Sequence, residues 1–262
     1  MRREADRRPR RIFITGASSG IGAALVRHYA RGDVQLGLVG RRREALDALA
    51  AECGVKAQVF VADVADAAAM QTAAAQFVAA GGLPDVVIAS AGVSVGTLTE
   101  HAEDADAFAR VMHTNVLGMV HTFQPFVAPM RAAGAGTLVG IASVAGVRGL
   151  PGAGAYSASK AAVRRYLESL RVELHGSGVR VVTISPGYID TPMTAINPYP
   201  MPFLMPAAAA AERMARAIEA GRRHVVIPWQ MGWVARLLGW LPDPVYDRVF
   251  ARAGRKPRGL PL

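Results

Sequence analysis

Two rhythms of apolar and polar residues alternate along the chain. Short apolar runs rich in β-branched residues occupy 11–15, 34–39, 58–62, 85–89, 137–142, 180–185 and 224–227. Between them lie Ala-rich stretches with apolar residues at helical spacing, at 21–30, 43–52, 66–80, 104–132, 155–175 and 206–220. Unbroken apolar runs suit strands that are covered on both faces, and helices between them supply the crossovers that parallel strands need. The pattern predicts an α/β fold: a single Rossmann-type doubly wound domain, about seven parallel strands with helices on both faces. A length of 262 residues with 52% hydrophobic content fits one large core.

Three stretches depart from the rhythm. Pro125 and Pro129 predict a break or kink in the long helix over 104–132. Residues 189–206 hold five prolines among Met193, Ile196, Tyr199, Met201, Phe203, Leu204 and Met205, which predicts an irregular lid. All three tryptophans lie in 229–250, where a helix would set Trp233, Leu237, Trp240 and Leu241 on one face. The expected division is a flexible basic tail at 1–10, the folded domain at 11–228 with its lid at 189–206, and a Trp-rich extension with a basic tail at 229–262.

The net charge of +10 suggests nucleic acid until it is located. Six arginines against two acids fall in 1–11, and Arg252, Arg255, Lys256 and Arg258 fall in 251–262 without an acid, so the charge belongs to the ends, read as solvated tails. No aromatic-interleaved basic stripe or zinc-finger spacing supports nucleic acid. The basic, Trp-bearing end is read either as a peripheral membrane contact or as packing on another subunit. No apolar run is long enough to span a membrane, the first residues lack a signal-peptide core, and Cys53 is the only cysteine, which together predict a cytoplasmic location. The six histidines show no ligand spacing, so no metal is expected.

The chemistry is concentrated at the ends of the predicted strands. Gly16, Ser18, Ser19, Gly20, Ile21 and Gly22 join the first strand to the first helix. Such a turn lets the backbone approach a pyrophosphate, and the helix N-terminus offers free amides. The acid that often holds an adenosine ribose is absent after the second strand, where Gly40-Arg41-Arg42 stands instead. Arg41 and Arg42 suit a 2′-phosphate, so NADP(H) is expected over NAD(H). Asp63 and Val64 after the third strand, and Ser90, Ala91 and Gly92 after the fourth, take the adenine edge and the nucleotide.

Tyr156 and Lys160, four residues apart, share one helix face. A phenol is a poor acid–base group at neutral pH unless a nearby ammonium favours its charged form. Only three lysines occur in this arginine-rich chain, and Tyr156 is the only tyrosine with a lysine four residues on. Ser143 ends the fifth strand on the same rim. Asn115, mid-helix, reads by itself as structural.

In their order and spacing, Gly16 to Gly22, Ser90-Ala91-Gly92, Asn115, Ser143, Tyr156, Lys160 and Pro186-Gly187 resemble the short-chain dehydrogenase/reductase family, over about residues 10–228. The resemblance implies that Tyr156 exchanges the substrate proton, Lys160 binds the nicotinamide ribose and tunes Tyr156, Ser143 orients the substrate oxygen, and Asn115 holds a water of the proton relay. Pro186, Gly187, Ile189 and Thr191 would surround the nicotinamide carboxamide. One departure is Ala89-Ser90-Ala91-Gly92, where the family usually reads Asn-Asn-Ala-Gly, which puts the geometry of the cofactor loop in question. The expected function is NADP(H)-dependent interconversion of a ketone and a secondary alcohol. The apolar Val144, Ala145, Gly146 and Leu150 and the lid point to a hydrophobic substrate, unless the lid packs on a neighbouring subunit. The alternatives are a 3-oxoacyl thioester reductase and a nucleotide-sensing protein on the same fold. A homodimer or homotetramer through the helices near 104–132 and 155–175 is the assembly the resemblance implies.

Overall fold

The computed structural model describes residues 10–260. Apart from Arg10, the N-terminal tail expected at 1–10 lies outside the described residues. In chain order the elements are β1 (Arg10–Thr15), α1 (Gly20–Tyr29), β2 (Val34–Gly40), α2 (Arg43–Cys53), β3 (Lys56–Val61), α3 (Ala67–Ala79) and β4 (Val86–Ala89). There follow α4 (Asp104–Met112), α5 (Gly118–Ala133), β5 (Gly136–Ile141), α6 (Gly154–Glu173), β6 (Val179–Pro186), β7 (Ile189–Asp190) and α7 (Pro192–Ala195). The chain closes with β8 (Met205–Pro206), α8 (Ala207–Glu219), β9 (His224–Ile227), α9 (Gln230–Trp240) and α10 (Asp243–Phe250).

Seven of the strands form one parallel sheet in the order β3-β2-β1-β4-β5-β6-β9. Successive strand residues enter opposite layers. Ile12, Ile14, Leu36, Leu38, Val86 and Ile88 pack with α1, α2 and α8. Phe13, Val39, Val87, Ala89 and Leu138 pack with α3, α5 and α6. The sheet is thus covered on both sides by one core per face.

The long helix departs from expectation in the place of its irregularity. Pro125 and Pro129 are accommodated inside an unbroken α5. Pro129 is exposed and Pro125 half-buried, so the carbonyls they leave without a partner can meet water. The break in regularity is a π-turn at His113–Leu117, between α4 and α5, with Asn115 buried within it.

The insert over 189–206 is more regular than its prolines suggest. Its ends, β7 and β8, pair in parallel through Ile189–Met205 and Asp190–Pro206, and α7 starts with Pro192 behind a reciprocal Thr191–Thr194 cap. Proline at the first helical position loses no bond that the helix would have made.

The basic ends are not simply solvated. Arg11 is buried beneath the sheet, with its guanidinium over the Phe77 ring and bonded to the Phe77 and Gly82 carbonyls. At the other end Arg258 donates to Asp104 at 2.7 Å and to Glu103 at 2.9 Å. Among the described residues no helix is long and apolar enough to cross a membrane.

Candidate active site

A cleft opens at the carboxyl ends of the central strands, across the point between β1 and β4 where the strand order reverses. Its first wall is the turn from β1 into α1. Gly16 has φ +67°, and a Cβ there would stand 2.7 Å from the Ala91 main chain. On Gly22 a Cβ would stand 2.1 Å from the Gly16 carbonyl. Only glycine allows such close approach of the turn, the helix and the loop after β4. Ser19 precedes α1 in extended conformation with no side-chain capping bond, so the first amides of the helix are left for a ligand. These features fit a pyrophosphate.

The second wall comes from the ends of β2 and β3. Arg42 donates to the carbonyl and the hydroxyl of Ser18, each at 3.2 Å, and Arg41 stands 3.9 Å from Asp63. Val64 follows Asp63, and its loop is held against the helix behind it. His121 Nδ1 lies 2.9 Å from the Val64 carbonyl, and Gly118 leaves space that a Cβ would close to 2.5 Å from Val64.

The loop after β4 lacks the usual asparagines and is held from the opposite side. Asn115 Oδ1 accepts from Val93 N at 2.8 Å, and Nδ2 donates to Val93 O at 3.0 Å and to Ser159 Oγ at 2.9 Å. Both amide hydrogens of Asn115 are therefore engaged. The Ser159 hydroxyl donates in turn to the Tyr156 carbonyl at 2.8 Å. One buried carboxamide thereby ties the cofactor loop to the first turn of α6. The π-turn brings that side chain out of the regular ladder to make these bonds.

Tyr156 is the third residue of α6 and Lys160 lies one turn on, with its Nζ 5.7 Å from the Tyr156 ring centroid and 2.9 Å from the Ile141 carbonyl, to which it donates. Burial lowers the Lys160 ammonium to about 8. Burial also pushes the Tyr156 phenol up, and the Ser143 hydroxyl pulls it the other way. Burial is thus the dominant influence on the phenol in the protein alone, where the spacing suggested that Lys160 would draw it down. Ser143 follows β5, accepts from Ala145 N at 3.1 Å and donates to the Pro186 carbonyl at 3.5 Å. The turn it starts sits on α6, since a Cβ on Gly146 would meet the Lys160 main chain at 2.6 Å. Gly146 thus spaces Ser143 from α6, which its apolar character alone did not reveal.

All the cofactor positions read from the sequence, from Gly16 to Thr191, line this one cleft together with Ser143, Tyr156 and Lys160. Asn115 alone lies behind the wall. The family model for short chain dehydrogenases matches residues 10–198. The chain belongs to the short-chain dehydrogenase/reductase family. It is 40% identical over 247 residues to an uncharacterized oxidoreductase of Myxococcus xanthus, covering 93% of this chain and 97% of that one. It is 35% identical over 213 residues to cis-4-hydroxycyclohexanecarboxylate dehydrogenase of Sinomonas cyclohexanicum, covering 79% of this chain and 84% of that one. The fold matches a short chain dehydrogenase/reductase of Burkholderia phymatum, solved in complex with NAD, with a TM-score of 0.81 and 25% identity over 96% of this chain and 98% of that one. The protein is an oxidoreductase of a family that binds a nicotinamide cofactor.

Several residues of this dehydrogenase's site escaped the sequence reading. Thr114 and Thr194 line the cleft beside the lid's Met193, and Ser159 lies buried behind it. Burial raises the Tyr199 phenol to about 12, with Tyr188 and Tyr156 adding to the effect, so three tyrosines share this side of the site. Tyr199 was named only as one of the lid's apolar residues, and nothing in the sequence marked Ser159.

Proposed function

We propose that this protein is an NADP(H)-dependent oxidoreductase that interconverts a ketone and a secondary alcohol on a hydrophobic substrate. The convergence of Tyr156, Ser143 and Lys160 on the cleft that the glycine cradle opens carries the reading. A bound nicotinamide supplies or accepts the hydride at the substrate carbon. Tyr156 gives its phenolic proton to the carbonyl oxygen during reduction and takes it back during oxidation. Ser143, anchored by Ala145 N, holds that oxygen beside the phenol. Lys160 carries the positive charge that favours the phenolate when Tyr156 has released its proton. Asn115 acts as a positioning residue through Val93 and Ser159. A nucleotide sensor would have no use for this proton-transfer set. A panel of ketones of rising chain length, followed by NADPH absorbance, tests the reading; a preference for small polar ketones counts against a hydrophobic substrate.

Arg41 and Arg42 support NADP(H), because they stand where an acid would repel the 2′-phosphate. A pair of charge-assisted bonds suggests that Arg41→Ala/Arg42→Ala lowers kcat/KM for NADPH by about 10²- to 10³-fold and leaves that for NADH nearly unchanged. Steady-state kinetics with both cofactors checks this, and a wild-type enzyme that uses NADH equally well overturns it.

Exposed Phe108 on α4, Leu117 in the π-turn before α5, and Val172 on α6 support a homodimer or homotetramer built on these helices, which light scattering tests. Trp229, Trp233, Leu237 and Trp240 are all more than 60% exposed, and exposed Arg236 holds its guanidinium 5.1 Å from the Trp233 ring centroid. Tryptophan beside arginine on an outward helix suits the headgroup region of an anionic bilayer, which supports peripheral membrane contact through 229–262 by a protein we place in the cytoplasm. Flotation with phosphatidylserine vesicles is expected for the wild type and lost in Trp233→Glu/Trp240→Glu; equal flotation of both removes the contact.

A further inference from the structure

Residues 254–258 form a strap against the lid and the loop after β4, and reach the cleft through Met193. Gly96 N donates to the Pro257 carbonyl at 2.8 Å, and a Cβ on Gly96 would stand 2.2 Å from the Lys256 carbonyl. Gly254 also packs on Tyr199 of the lid, where a Cβ would stand 2.8 Å from the Tyr199 Cβ. Arg258 is clamped by Asp104 and Glu103, and Arg255 is exposed.

Lys256 differs from both of these cations. It is 8% exposed, and its Nζ donates at 3.3 Å to the carbonyl of Met193, a residue that lines the catalytic cleft. Among the described residues no carboxylate pairs with it. Burial lowers its ammonium to about 8, so it still carries a proton at neutral pH. An ammonium has three donors, and a long bond to a neutral carbonyl leaves most of its charge uncompensated. Buried charges of this kind are ordinarily paired. An anion would supply such a partner, and Asp104 and Glu103, the acids that reach this segment, are taken by Arg258.

We propose that Lys256 is a substrate-recognition residue, binding a carboxylate at the far end of an apolar substrate whose carbonyl or hydroxyl lies at Tyr156 and Ser143. The proposal rests on the reading of the cleft as a carbonyl–alcohol site. A single ammonium is a point charge suited to one carboxylate, whereas phosphate recognition more often uses the arginine fork, and of the two strap arginines Arg258 is held by acids while Arg255 is exposed to solvent. An apolar oxo-acid or hydroxy-acid satisfies both the lid's apolar side chains and the buried cation.

The test compares oxo-acids of rising chain length with their methyl esters, on wild type, Lys256→Met and Lys256→Arg, each loaded with NADPH. Both kcat/KM and calorimetric binding of the oxo-acids are measured, the latter on enzyme loaded with NADP+, which cannot reduce them, so that the answer does not depend on turnover. The wild type is expected to favour the best acid over its ester by about 10- to 100-fold, and Lys256→Met is expected to erase the preference by raising KM for the acid alone. Lys256→Arg should restore part of it. Equal use of acid and ester by the wild type, or no binding of any acid, overturns the role of Lys256. Loss of acid and ester turnover to the same degree in Lys256→Met identifies a strap anchor and overturns it too. Reduction of the esters without acid preference leaves the carbonyl reductase reading intact, while failure of every carbonyl compound to react rejects that reading separately.

Discussion

Tyr156→Phe is expected to lower kcat by about 10²- to 10⁴-fold, the usual contribution of a positioned proton donor. The substitution keeps the ring against Lys160, 5.7 Å from its Nζ, and removes only the hydroxyl. Cofactor affinity and melting temperature should therefore stay close to wild type, which separates chemistry from folding. The direction of the pH dependence follows from the site. Burial pushes the phenol up. Carbonyl reduction, which needs the protonated phenol, should hold its rate into alkaline solution, and alcohol oxidation, which needs the phenolate, should rise with pH. NADPH oxidation by both proteins, followed with the same ketone, checks the first claim, and equal turnover removes Tyr156 from the mechanism.

Lys160→Met should lose activity on a similar scale and yet make the ligand-free protein more stable. Lys160 is 5% exposed, and burial lowers it from 10.5 to about 8. At roughly 1.4 kcal/mol per pH unit, carrying that proton in the folded state costs about 3 kcal/mol at neutral pH. The bond to the Ile141 carbonyl offsets about 1 kcal/mol, so methionine should stabilise by about 2 kcal/mol near pH 7. Because the folded value lies below the unfolded one, the unfolded chain binds more protons between about 8 and 10.5. Wild-type stability gains from this group as pH rises through that window, and the advantage of the variant shrinks. Lys256, also lowered to about 8, acts in the same direction in both proteins and cancels in the difference. Urea melts of both proteins at neutral and strongly alkaline pH give the comparison. A methionine variant less stable than wild type at pH 7 means that the ammonium has more compensation than Ile141 supplies. The two predictions together describe a site that holds its proton machinery at the expense of stability.

The sheet and its cleft were legible because their signals are local. Apolar runs at strand length, helical spacing between them and a glycine turn after β1 each follow from a few consecutive residues. The crossover rules then bring the strand ends to one side. For the same reason Tyr156 and Lys160 were found together: an i, i+4 pair on a helix needs no tertiary information. The prolines of 104–132 misled because proline reports a lost bond but not whether water can replace it. Pro129 faces solvent, and the irregularity moved to Asn115, whose partners Val93 and Ser159 are each more than 20 residues away in the chain.

The C-terminal strap shows the same limit most clearly. Composition alone made Arg255, Lys256 and Arg258 one basic tail. The fold separates them into an exposed cation, a buried one and one clamped by acids about 150 residues earlier in the chain. By itself the sequence determined the doubly wound sheet, the glycine cradle and the tyrosine–lysine pair, because each is written within one or two adjacent elements. Only the tertiary structure decided which charges are buried and what they face, because burial and pairing depend on segments that meet after the chain has folded.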